Sequence, residues 1–104
     1  MISSQTIQTS IDELKAITKV DLCVYDLTGT PVASTSPQFD ITADLISGFA
    51  YSPADSQVIG VHHLLKIMDE GELLYILVAR GTSEDVYMIG KIAVCQLQNL
   101  IIAY

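Results

Sequence analysis

Asp69-Glu70-Gly71-Glu72 stands between two apolar, strand-like runs, Val58–Met68 and Leu73–Arg80, and this stretch decides the fold. Turn-forming residues between such runs make a β-hairpin. Gly60 predicts a bend in the first run. Gly81 ends the second, Thr82 or Ser83 supplies a helix cap, and Glu84 with Asp85 complements the positive end of the helix that follows. In that final helix Val86, Ile89, Ala93, Leu97, Leu100 and Tyr104 recur at helical spacing, enough to cover a sheet.

The apolar arc of this helix is wider than one sheet needs. At about 100° per residue, Tyr87, Val94 and Ile101 extend it on one side, and Ile92 and Ala103 on the other. A polar strip remains around Glu84, Lys91 and Gln98. At roughly 25 cal/mol per Å² of apolar surface, leaving several such side chains wet forfeits several kcal/mol, so a second subunit is the expected cover. The expected homodimer interface is Tyr87, Val94, Leu97, Ile101 and Tyr104. The last residues, Asn99 to Tyr104, carry no helix-stop signal, so the natural protein is expected to continue.

Upstream, Ile7, Ile11, Leu14 and Ile17 mark one face of an amino-terminal helix, with Ser3 or Ser4 as its cap or, alternatively, Ser10 and Glu13 as a capping box. Leu22-Cys23-Val24-Tyr25 is apolar on both faces, and Thr28-Gly29-Thr30-Pro31 turns it back into Val32-Ala33-Ser34-Thr35, with Pro31 suited to the first position of an edge strand. Leu45, Ile46 and Phe49 place a short helix near Thr42–Ala50 in the connection that follows. The expectation is an α+β domain spanning residues 1–104. It has a single antiparallel sheet of about five strands, an N-terminal helix, a short middle helix and a long C-terminal helix.

The chain has 104 residues, half of them apolar, and a net charge of −7. That supports one packed domain and, with few charges to wet the surface, an oligomer. Five scattered basic residues form no stripe for phosphates, so this domain is not expected to bind nucleic acid or an anionic membrane. Neither a secretory signal nor an apolar run of about 18 residues is present, which predicts a cytoplasmic location. Cys23 and Cys95 fit no metal or redox spacing and are expected to be reduced core thiols.

No catalytic residue is expected. Asp26-Leu27-Thr28-Gly29 lacks the Asp-Thr-Gly order of aspartic proteases, and no Ser, Cys or Lys has a recognisable base partner. No cofactor or metal motif is found either: His62 and His63 adjoin on a strand and point to opposite faces, which prevents joint ligation of one metal. For small-molecule binding the candidates are Ser34, Thr35, Ser36 and Gln57 at strand ends, His63 lining a pocket, and Arg80 at a helix amino terminus, where an anionic metabolite can be held. Turn chemistry and a surface ion pair are the plainer readings of the polar cluster and of Arg80.

The order helix, hairpin, helical connection, hairpin, long helix resembles the PAS, Cache and profilin-like sensory folds, in which one antiparallel sheet carries helices against one face. Three stretches resemble more specifically the amino-terminal domain of bacterial sugar-diacid and purine-catabolism regulators. They are Asp21–Asp26 leading through Gly29 to Val32–Thr35, then Ser52–Gln57, then Glu84–Lys91 with Gln96–Leu100. An Arg-Ile-Gly and His pattern associated with sugar-diacid recognition has no counterpart after Ser34-Thr35. The resemblance implies a ligand-sensing, dimerising domain of a transcription regulator, with a small-molecule effector and DNA bound through a helix-turn-helix domain downstream. The alternative is a ligand-free structural dimerisation or protein-interaction module.

Overall fold

A computed structural model describes residues 2–37 and 39–103. Ser3 sits in extended backbone and its hydroxyl accepts the Thr6 N–H, so the first of the expected caps starts α1 (Ser4–Thr18). Ser10 lies buried inside that helix instead of capping it. Lys19 closes α1 in the left-handed region (φ 65°), donating to the Lys15 carbonyl. Ile7, Ile11 and Leu14 are buried as their spacing predicts, but Ile17, in the last turn, is 80% exposed.

Strands β1 (Asp21–Tyr25) and β2 (Pro31–Ser34) form the first hairpin. The Asp26 carboxylate organises its turn by accepting from the Thr28 and Thr30 N–H groups and the Thr28 hydroxyl. Gly29 adopts φ 90° where a Cβ would lie 2.6 Å from the Ala43 backbone, so both conformation and space demand glycine. Thr42 caps α2 (Ala43–Ala50). The run that reads as one bent strand is then two. β3 (Ser56–Ile59) and β4 (His62–Asp69) pair as a tight hairpin about Gly60-Val61, with Gly60 at φ 62°. β5 (Glu72–Arg80) follows across the Glu70-Gly71 turn. The last helix, α3 (Val86–Ala103), begins later than its cap signals predict, because Thr82–Asp85 form a turn in which the Ser83 carbonyl accepts from Val86.

The sheet is antiparallel, in the order β2-β1-β5-β4-β3. One face packs Leu22, Val24, Leu77 and Ala79 against α1 and α3; the other packs Cys23, Tyr25, Ile76 and Val78 with Ile46 and Phe49 of α2. The α+β class, the five-stranded sheet and the three helices are those expected. The arrangement on one face is corrected: α2 covers the side opposite α1 and α3, and this is why the central strands are apolar on both faces.

Candidate interaction surfaces

The binding residues expected from sequence do not form one site. Ser34, Thr35, Ser36 and Arg80 do gather at one end of the sheet. Arg80 donates to Asp21 at 3.1 Å and to the Ser36 hydroxyl at 3.3 Å, and its guanidinium lies 4.4 Å from the Phe39 ring centroid. Thr35 donates to Asp21 at 3.0 Å, and Lys15 pairs with the same carboxylate at 2.9 Å. Burial pulls the Asp21 carboxyl upward, but these hydrogen bonds from Lys15, Thr35 and Arg80, with the Lys15 charge, outweigh it and hold it below the ordinary carboxylate value. Arg80 is thus engaged by a carboxylate of its own chain. Beside this cluster an open groove of about 340 Å³ runs past Tyr25, Ser34, Ser36 and Phe39.

Gln57 and His63 lie elsewhere. Gln57 is exposed on β3, and His63 faces α3, its ring 6.4 Å from that of Tyr87, while His62 on the other face stands 6.2 Å from Phe39. Their expected opposition across the sheet is what the structure shows. His62 Nε2 and His63 Nδ1 are buried with no hydrogen-bond partner among the described residues. Three further grooves, of about 360, 380 and 480 Å³, flank helices and strands and are open to solvent.

The two sheet edges differ. On β2, Pro31 has no N–H to offer, and the Gln8 side chain of α1 caps Ser34. Its Nε2 donates to the Ser34 carbonyl at 2.7 Å and its Oε1 accepts the Ser34 N–H at 3.0 Å. A side-chain amide here takes the place that a neighbouring strand's backbone would fill. Around the tight turn of the β3–β4 hairpin, the pairs Ile59–His62, Gln57–Leu64 and Asp55–Lys66 are the bonded set, with Lys66 donating to the Asp55 carbonyl. Alternation in an antiparallel ladder therefore aims the N–H and C=O groups of Ser56 and Val58 at the free edge. β3 carries no proline and no charge, and Val58 is 59% exposed. Leu45 and Tyr51, in and just after α2, are exposed as well.

The outer side of α3 is the third surface, and here the expected interface needs correction. Leu97 is only 1% exposed and belongs to the protomer's own core, since it lies on the sheet-facing stripe. Val94 and Ile101 are half-buried against that core, Tyr87 is exposed, and Tyr104 lies outside the described residues. The apolar residues that α3 leaves outside are on the far side: Met88 at 58%, Ile92 at 50% and Ile102 at 70% exposure. Cys95 is exposed among them, against the expectation of a core thiol, whereas Cys23 is buried and its thiol pushed up by that burial. By length and composition α3 is able to cross a membrane, but Ile89, Ala93 and Leu97 are committed to the sheet.

Sequence reading missed Gln8, Val58, Met88 and Ile102. No local signal marks Gln8, whose partner is 26 residues away. The stripe Met88, Ile92, Cys95, Asn99, Ile102 was readable from its 4-3-4-3 spacing.

No family model matches the chain, and neither does any curated protein. Among solved structures, Myxococcus xanthus MglB is similar with a TM-score of 0.62 at 17% identity, over 99% of this chain and 94% of that one. At that identity the likeness is one of fold alone: the α+β build of one antiparallel sheet with three helices is similar to the roadblock/profilin-like fold of MglB.

Proposed function

We propose that this chain is a non-catalytic self-association module in which two copies pair antiparallel along β3, joining their sheets into one. The observation behind this reading is the asymmetry of the edges: on β2, Gln8 occupies the Ser34 groups and Pro31 lacks a donor, while β3 presents the backbone groups of Ser56 and Val58 beside an exposed apolar side chain. Folded proteins cover or charge such edges unless something pairs with them. A two-fold axis near Gln57 sets Val58 opposite Ser56 of the second copy. It satisfies both sets of outward groups. A cytoplasmic regulator of the sugar-diacid type would use such a module to join two larger chains.

Sedimentation equilibrium tests this, with dimers expected for the natural chain. Val58→Lys charges the edge and Val58→Pro removes an outward donor without touching the β4 ladder; both should lower the weight-average mass while circular dichroism stays that of the folded chain. A natural chain that stays monomeric at about 100 µM, an ordinary concentration for a weak dimer, refutes the proposal, as does an average mass that neither variant lowers.

The effector reading retains one support, the convergence of Ser34, Ser36 and Arg80 beside the groove at Phe39. It requires an anion to displace Asp21 from Arg80. Stabilisation by small carboxylates or phosphates in a thermal-shift series, lost in Arg80→Gln, would favour it.

A further inference from the structure

From the outer face of α3 we infer a second self-association surface, independent of the β3 edge, on which α3 of another copy docks parallel and in register as a short two-stranded coiled coil. The seam is Met88, Ile92, Cys95, Asn99 and Ile102, spaced 4-3-4-3 and all exposed. That spacing is the alternation of d and a positions in a heptad: Met88, Cys95 and Ile102 at d, Ile92 and Asn99 at a. A helix that only packs on a sheet has no need of it, and the sheet-facing stripe of Val86, Ile89, Ala93 and Leu97 lies on the opposite side.

Chemistry selects another copy of this chain as the occupant. An asparagine in an apolar seam has a donor and an acceptor to satisfy, and a second asparagine at the same level presents the matching pair. A single a-position Asn is known to fix register in this way. In the parallel arrangement Asn99 meets Asn99 and β-branched Ile92 meets Ile92. An antiparallel arrangement about Cys95 sets Ile92 against Asn99 and leaves both amides facing hydrocarbon.

Charge agrees. The twelve acidic residues of the chain all lie outside α3, whose one charged side chain is Lys91, beside the seam. Along the seam from Met88 to Ile102 two molecules of net charge −7 meet no carboxylate, and Glu84 and Asp85 of the two copies come together only beyond its amino-terminal end. With five layers along a helix of 18 residues, about 27 Å long, the contact covers roughly 1,000 Å² in total, the lower bound for a specific interface. The association is therefore weak and reversible, and it strengthens as salt screens the net charge.

Cys95 gives the experiment a natural reporter, because Cys23 is buried. Diamide removes two hydrogens from a pair of thiols as their disulfide forms, so a seam with Cys95 at its centre gives a covalent dimer that Cys95→Ser abolishes. Ile102→Cys in the Cys95→Ser background then reports orientation: parallel pairing brings position 102 against itself, while antiparallel pairing brings it against Met88. Expected are cross-linking in both cases, a loss of at least tenfold in cross-linking rate with Ile92→Lys, and little change with Val58→Lys. A covalent dimer with Cys95 but none with Ile102→Cys overturns the parallel register. Rates equal to those of the Ile92→Lys variants overturn the surface itself. Loss with Val58→Lys and not with Ile92→Lys would return the contact to the β3 edge and also refute it.

Discussion

Removing the Gln8 amide should open the β2 edge. In the folded chain Gln8 Nε2 donates to the Ser34 carbonyl at 2.7 Å and Gln8 Oε1 accepts the Ser34 N–H at 3.0 Å, at a half-buried site. Each such hydrogen bond contributes about 0.5–1.5 kcal/mol net, and water can replace part of what is lost, so Gln8→Ala should cost roughly 1–2 kcal/mol. For a domain of this size that is a fall of roughly 5–10 °C in Tm. Thermal denaturation measures the total, and hydrogen exchange at the Ser34 amide localises it. Gln8→Glu adds a sign. Its carboxylate still accepts the Ser34 N–H but sets an oxygen against the Ser34 carbonyl, so protonation is favoured by folding and the folded pKa lies above the unfolded value of about 4.3. The deficit relative to the natural chain is then full at neutral pH and shrinks as pH falls through the raised folded pKa. A Gln8→Ala variant that melts within about 2 °C of the natural chain with unchanged Ser34 exchange would refute the idea that this side chain guards the edge.

Gly29→Ala combines left-handed backbone with a Cβ 2.6 Å from Ala43 and should destabilise by about 3–4 kcal/mol in chemical denaturation. Leu97→Ala, inside the core, should cost about 2–5 kcal/mol, while Ile102→Ala, outside it, should leave monomer stability within about 0.5 kcal/mol. The Asp21 carboxyl is lowered in the folded chain, so its contribution is fully present above the ordinary Asp value of about 3.9 and is lost as pH falls through the lower folded value. Asp21→Asn should therefore be less stable than the natural chain at neutral pH, and the gap should close in acid. Of the two thiols, Cys95 should react promptly with a disulfide reagent in the native protein and Cys23 only on unfolding.

Much of the architecture was written locally. Ile7, Ile11 and Leu14 lie where their period puts them, Pro31 opens an edge strand, and Thr42–Ala50 contains a capped helix. The β3–β4 hairpin was hidden because both strands are apolar and a single glycine separates them, so composition does not distinguish a bend from a reversal. The second layer was visible in principle: Leu22-Cys23-Val24-Tyr25 is apolar at every position, which a sheet wet on one side does not tolerate. What concealed the cover was its size, since α2 has only eight residues and relies on Phe39 and Ile41 beside it. The 4-3-4-3 stripe of α3 was readable as a pattern but its exposure was not, because residues on both sides of the sheet-facing stripe are apolar and only packing decides which flank stays outside.

The same distinction between local and long-range information explains why the expected pocket dissolves. Ser34, Thr35, Ser36 and Arg80 do meet, as their positions at strand ends suggested, but Asp21 meets them too. It bridges Lys15 in the last turn of α1, Thr35 after β2 and Arg80 at the end of β5. An effector anion arriving at Arg80 would replace a carboxylate already held by three donors, so it gains only the difference between two similar interactions. A free copy of β3 faces no such competitor: the outward groups of Ser56 and Val58 exchange water for backbone partners, and Val58 loses its exposed surface with them. The larger gain from pairing therefore lies at the β3 edge, on the strand whose existence the continuous apolar run concealed.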